Sequence, residues 1–165
     1  MPFIMTAGII ILDQITKFLI VQNIQPNRIG SRILGDFIWI VHAQNLGMAF
    51  SMGDSFPLTV RRILFVALPL IVMIFVVVYY FRGKDLTNGM RWVIAGILGG
   101  GIGNLIDRIG RPDGVVDFLS VKFYGIFGME RFPAFNVADS CITVSGILLI
   151  VLFVIQEFKN REQKG

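Results

Sequence analysis

Between Leu64 and Phe81 the chain reads LFVALPLIVMIFVVVYYF, eighteen residues without a formal charge. As a helix this stretch is about 27 Å long, close to the roughly 30 Å thickness of a bilayer's hydrocarbon layer. Inside lipid every backbone N–H and C=O must find its partner within the protein, which makes a helix the expected form. Three further stretches have comparable length and apolarity, at about 3–22, 90–109 and 135–157. Charged residues make up 16% of the 165-residue chain, against about a quarter in soluble domains. The expected fold is an all-α membrane protein with four transmembrane helices, a small extracytoplasmic β-hairpin or sheet and an interfacial segment. The length fits one domain over 1–165.

The first stretch does not read as a cleavable signal peptide. It lacks a basic leader, and Asp13 and Lys17 interrupt its apolar run. Four crossings put both termini on one side of the membrane. Arg82, Lys84 and Arg91 lie on the 82–91 link, and Lys159, Arg161 and Lys164 on the tail. The opposite face has more basic residues, but they are spread over and beside two longer segments, 23–63 and 110–134. The density of positive charge places both termini in the cytoplasm. The chain is then a multi-pass protein of the cytoplasmic (inner) membrane, and nothing in it demands more than a monomer.

In the first outer segment, β-branched and aromatic residues around Phe37–Val41 precede a glycine-containing turn, which predicts a short hairpin. In the second, GVVDFLSVKFYGIFGMERFP is apolar but broken by Gly114, Gly125, Gly128 and Pro133, which predicts a segment lying at the interface. Pro69 predicts a kink in the second span. Gly47, Gly53 and Gly125 are candidate hinges for an outer segment that closes over a site.

Polar residues within spans are costly and ordinarily face the protein interior or a water-filled cavity. Here they collect toward one membrane face. Asn104, Asp107 and Arg108 end the third span at i, i+3 and i+4; Asn136 and Asp139 begin the fourth at i, i+3. Asp117 lies between the two spans. Antiparallel neighbours bring these groups to a common depth. Asp13 and Lys17 differ: at i, i+4 in the first span they can pair with each other and lower their joint desolvation cost.

Several chemistries are excluded by residue type. His42 is the only histidine and Cys141 the only cysteine, so a multi-histidine zinc site, a cysteine cluster and an intramolecular disulfide are ruled out. A Ser-His-Asp triad would need His42, which falls in the predicted hairpin. GGGIG at 99–103 lies within a span, where small residues spaced four apart serve close helix packing. No cofactor or metal site is expected, and no basic stripe of the kind that binds nucleic acid is present.

Two aspartates then remain for chemistry. A close carboxylate pair shares a proton near neutrality, so one member can activate water while the other protonates a carbonyl or leaving group. Each residue also has a plainer reading: Asp139 as a helix cap, Asp107 as the partner of Arg108 or Arg111, Asp117 as a solvated loop residue. Two other classes fit the same residues: a small proton-coupled membrane transporter, and an assembly subunit whose polar groups bind helices together. Acids clustered at one face argue against a relay across the bilayer.

The motifs, taken in order, resemble the bacterial lipoprotein signal peptidase (signal peptidase II) family. LDQITK at 12–17, QNLGMAFS at 44–51, GGGIGNLIDRI at 99–109, GVVDF at 114–118 and residues 132–146 match its blocks along the whole chain. Met48 replaces an alanine of the second block, and Ser145 precedes Gly146 as an insertion in the last. The resemblance implies an intramembrane aspartyl endopeptidase acting on a diacylglyceryl-modified prolipoprotein, with membrane lipids as surroundings. It implies Asp117 and Asp139 as the catalytic pair, and Asn104 and Asn136 as orienting groups. It further implies Arg108 against substrate backbone or lipid, Asn45 at the substrate rim and Asp107 as support, while the spacing of Asp13 and Lys17 reads as a structural ion pair.

Overall fold

The computed structural model describes residues 1–47 and 56–162. The end of the second motif block, including Met48, and the candidate hinge Gly53 lie outside the described residues. The elements in chain order are helix α1 (Pro2–Asn23), strands β1 (Ile29–Ile33) and β2 (Ile38–Asn45), and helix α2 (Leu58–Arg62). A π turn (Ile63–Ala67) leads into α3 (Leu68–Arg82), followed by α4 (Asn88–Gly110), β3 (Val115–Val121), a 3-10 turn (Ile126–Gly128) and α5 (Val137–Glu162). Four helices are long and apolar enough to cross a membrane: Pro2–Asn23, Thr59–Arg82, Asn88–Gly110 and Val137–Glu162.

The third of these is the hub. Half of its apolar window is buried inside the protein, against 17%, 11% and 6% for the first, second and fourth. The others turn Phe75, Ile150, Phe158 and similar side chains outward, toward lipid. Helix α4 packs against α1, α3 and α5. Its glycines make this possible. A Cβ on Gly100 would meet the Ala138 carbonyl of α5, one on Gly99 would lie 3.0 Å from Ile9 of α1, and one on Gly101 would lie 3.0 Å from the Met73 sulfur. Without a hydrophobic drive between helices in lipid, such backbone proximity supplies the dispersion contacts that hold the bundle. Thr6, Asp13 and Lys17, the buried residues of α1, share one face toward α4.

The second span starts earlier than its apolar run implies, taking Arg61 and Arg62 into the helix. The irregularity expected from Pro69 takes the form of the π turn. Pro69 has no N–H to give the preceding turn, and the Leu68 N–H reaches back five residues to the Ile63 carbonyl. The widened turn buries Phe65, a residue used below.

The outer segments form the small sheet expected of them, with two differences in detail. The expected short hairpin is present, but its turn precedes residues 38–41 instead of following them: β1 and β2 pair antiparallel around a turn at 34–37, where Gly35 takes φ +70°. The interfacial segment is also more regular than its glycines imply. Residues 115–121 form β3 and pair antiparallel with β2, giving sheet order β1-β2-β3. Gly114, at φ +86°, lies so close to the Asn45 carbonyl that a side chain there would collide with it. Two guanidinium groups lie against the Trp39 ring, Arg131 at 3.7 Å and Arg32 at 5.0 Å from its centroid. The Trp39 indole also donates to Asp36, and this bond is the largest cause holding the Asp36 carboxyl below its usual range.

Candidate active site

Asn136 and Asp139 form a reciprocal cap at the start of α5. The Asp139 N–H donates to Asn136 Oδ1 at 2.9 Å, and the Asn136 N–H donates to Asp139 Oδ2 at 3.2 Å. The capping role open to Asp139 is therefore filled, yet one oxygen stays available. Asp139 Oδ1 accepts from Asn104 Nδ2 at 2.7 Å, across the α4–α5 contact. The Asn136 amide, wholly buried, donates to Asp117 Oδ1 at 2.7 Å and to Asn104 Oδ1 at 3.1 Å. Asn136 thus touches both carboxylate neighbourhoods.

Asp117 reaches the same place from the sheet. It faces Ala43 in the β2–β3 register, with Asn45 diagonal to it on the same face. Asn45 Nδ2 donates to Asp117 Oδ2 at 3.0 Å. Far from being a solvated loop residue, Asp117 is only 3% exposed. Burial pushes its carboxyl up to about 7, the neighbouring Asp139 pushes the same way, and the Asn45 and Asn136 amides oppose them. A group so poised can hold or release a proton near neutral pH.

Arg108 lies beside the pair. Its Nη1 donates to the Gly47 carbonyl at 2.9 Å, and its guanidinium sits 5.3 Å from the Phe65 ring presented by the π turn. Asp117, Asp139, Asn45, Asn104, Arg108 and Phe135 all line one cavity of about 720 Å³. The cavity is apolar along much of its wall, with polar groups converging at one end.

Asp13, Lys17 and Asp107 lie behind the cavity. The Lys17 ammonium sits 2.8 Å from Asp13 and 3.0 Å from Asp107, all three fully buried. Asp107 does not pair with Arg108; its cations are Lys17 and Arg111, the latter at 3.0 Å. Two carboxylates here face two cations. Lys17 also donates to Asn104 Oδ1 at 3.0 Å, which fixes that amide with its nitrogen toward Asp139. Asp13 Oδ1 accepts the Ala138 N–H at 3.0 Å and Asp107 Oδ2 accepts the Val116 N–H at 3.2 Å, so the cluster grips α5 and β3 next to each aspartate. Gln14, which sequence reasoning missed, donates to Asp107 Oδ1 and the Gly103 carbonyl. Its position beside Asp13 within a span was the available signal. Thr143, one turn beyond Asp139, also lines the cavity and was missed.

His42 stays apart, buried against the Ile24 carbonyl at 2.6 Å through Nδ1. Among the described residues no three His, Cys, Asp or Glu side chains group as a metal site.

A four-span helical bundle topped by a three-stranded sheet, with acid and amide groups gathered where they meet, is the architecture of a bacterial membrane enzyme. One such enzyme, solved by the in meso method at 2.3 Å resolution, superposes with TM-score 0.80 at 26% identity over 94% of this chain and 88% of its own. A second, at 1.9 Å resolution, gives 0.77 at 27% identity, covering 92% and 91%. The chain belongs to the signal peptidase (SPase) II family, whose model matches residues 5–155. A lipoprotein signal peptidase of Treponema pallidum is 47% identical over 156 residues, 94% of this chain and 84% of the relative. One of Treponema denticola is 46% identical over 164 residues, 99% and 94% respectively. Membership in a peptidase family sets aside the transporter and assembly-subunit readings.

Proposed function

We propose that the chain removes the signal peptide from diacylglyceryl-modified prolipoproteins, cutting before the lipidated cysteine with Asp117 and Asp139 as the catalytic pair. The single observation carrying this reading is the shared amide lattice. Asn136 and Asn104 bind one carboxylate from β3 and one from α5 at the end of the same cavity. Curated relatives are named lipoprotein signal peptidases, which supplies the substrate class.

In this mechanism the pair shares one proton, held on Asp117, and Asp139, its oxygens bound by Asn104 and the Asn136 N–H, serves as the base. Asp139 takes a proton from water as the oxygen attacks the scissile carbonyl carbon, while Asp117 gives its proton to the carbonyl oxygen. The resulting gem-diol collapses as the C–N bond breaks. Asp139 passes its proton to the departing nitrogen, and Asp117 recovers one from a diol hydroxyl. Arg108 holds the substrate backbone through charge-assisted hydrogen bonds, and Asn45 forms part of the rim. Acyl chains on the cysteine rest in the membrane and set the scissile bond at the depth of the pair. The face bearing the sheet is the extracytoplasmic one, with both termini in the cytoplasm and the chain acting as a monomer. No cofactor is required.

The test is incubation of the purified full chain with a synthetic prolipoprotein, with and without diacylglyceryl on its cysteine. Mass spectrometry should find cleavage before the lipidated cysteine and far slower turnover of the unlipidated precursor. Equal cleavage of both, or cleavage elsewhere, contradicts the reading.

A further inference from the structure

We propose that a second cavity, on the far side of Arg108 from the acid pair, binds the phosphodiester headgroup of an anionic phospholipid. This cavity is about 570 Å³ and is lined by Arg61, Arg62, Arg108 and Arg111, with Phe65 and Ile109 among its apolar walls. Four arginines line it, and among the described residues none of the lining side chains is acidic. Of the acids beside it, Asp113 is exposed to solvent, and Asp107 is fully buried and bonded to Lys17, Arg111 and the Val116 N–H. The Arg61 Nε is itself buried and has no hydrogen-bond partner among the described residues. A buried donor without an acceptor is costly, and a phosphate oxygen supplies the acceptor that planar guanidinium forks match best.

The position selects a lipid over a soluble anion. Arg61 and Arg62 stand at the start of the second span, and Arg108 and Arg111 at the end of the third. Ile63 and Ile109 beside them are 56% and 68% exposed, facing where acyl chains run. Arginines at the ends of spans with apolar side chains just inside them match a phospholipid, whose charge and tails are stacked in that order. Because Arg108 lines both cavities, a headgroup here would brace that guanidinium without entering the site of cleavage. The binding proposal does not depend on the peptidase reading.

The experiment uses the purified full chain in nanodiscs of phosphatidylcholine with or without phosphatidylglycerol, followed by mild detergent release and native mass spectrometry. Wild-type protein should retain one phosphatidylglycerol in preference to phosphatidylcholine and melt at higher temperature when it is present. Arg61→Gln/Arg62→Gln should lose that retention by about tenfold or more. Lys159→Gln/Arg161→Gln, which removes equal charge from the opposite end, should leave it intact. Should the double variant fail to fold, Arg62→Gln alone, at an exposed position, carries the comparison. Equal retention of both lipids by wild type overturns the proposal, as does retention unchanged by the Arg61 and Arg62 substitutions. A loss matched by the tail variant means nonspecific attraction and overturns it too. Displacement of the lipid by millimolar inorganic phosphate, with the same stabilisation, would assign the cavity to a soluble anion instead.

Discussion

Asp117 passes from an unfolded chain, where its pKa is near 3.8, to a folded one where burial beside Asp139 raises it to about 7. Folding therefore favours its protonated form. The stabilisation is fully present below about pH 4 and is lost as pH rises through about 7. Asp117→Asn should accordingly gain stability relative to wild type between pH 5 and pH 8, by up to a few kcal/mol. Thermal unfolding in detergent across that range checks it, and a constant offset between the two proteins would contradict it. Turnover should decline above about pH 7, as Asp117, the proposed proton donor, ionises. Arg108 makes a second prediction at this scale. Arg108→Ala should reduce kcat/KM by roughly 2–4 kcal/mol of transition-state binding, and Arg108→Lys should recover only part, since an ammonium cannot present a planar fork. Unchanged kinetics in folded protein would remove Arg108 from the substrate site. The motif order made these side chains legible in the sequence; the burial of Asp117 was not, because it follows from a strand register between residues more than seventy positions apart.

At the scale of elements, Lys17 is a cation serving two helices. The spacing of Asp13 and Lys17 exposes their pairing, but the second carboxylate, Asp107, comes from α4 through tertiary packing that no local pattern records. Lys17→Ala should cost about 3–5 kcal/mol, because two buried acids then face each other without it. Adding Asp13→Asn should recover part of the loss but not all, because Asp107 remains. Strictly additive losses in a thermal-unfolding cycle would show that the pair does not interact. The glycine row of α4 is a separate test: Gly100→Ala, which drives a methyl into the Ala138 carbonyl, should lower stability by about 1–3 kcal/mol. Wild-type melting of that variant would contradict the close α4–α5 contact. The spans were readable because hydropathy is local. The small sheet was expected, but its turn and its third strand were not placed, because glycine is ambiguous in sequence. Gly114, read as breaking its segment, opens β3 at a close approach to Asn45, whereas the hairpin turn falls at Gly35, before Phe37–Val41 and not after it.

Across the whole molecule, four separate stretches of chain deliver the candidate site, with β2 bringing Asn45. Strand β3 brings Asp117, the end of α4 brings Asn104 and Arg108, and the cap of α5 brings Asn136 and Asp139. Their convergence was inferable from antiparallel spans, since a helix leaving the membrane and the next one entering it meet at one face. The bracing cluster around Asp107 and the arginine-lined second cavity were not, since both assemble residues from helices distant in sequence. The most direct measurement is single-turnover cleavage of a diacylglyceryl-modified prolipoprotein by purified wild type, Asp117→Asn, Asp139→Asn and the double variant, each first shown to be folded. Each single substitution is predicted to slow cleavage by several orders of magnitude, with the double variant little worse than either, because the two carboxylates act as one unit. Near wild-type cleavage by either folded single variant would contradict the account.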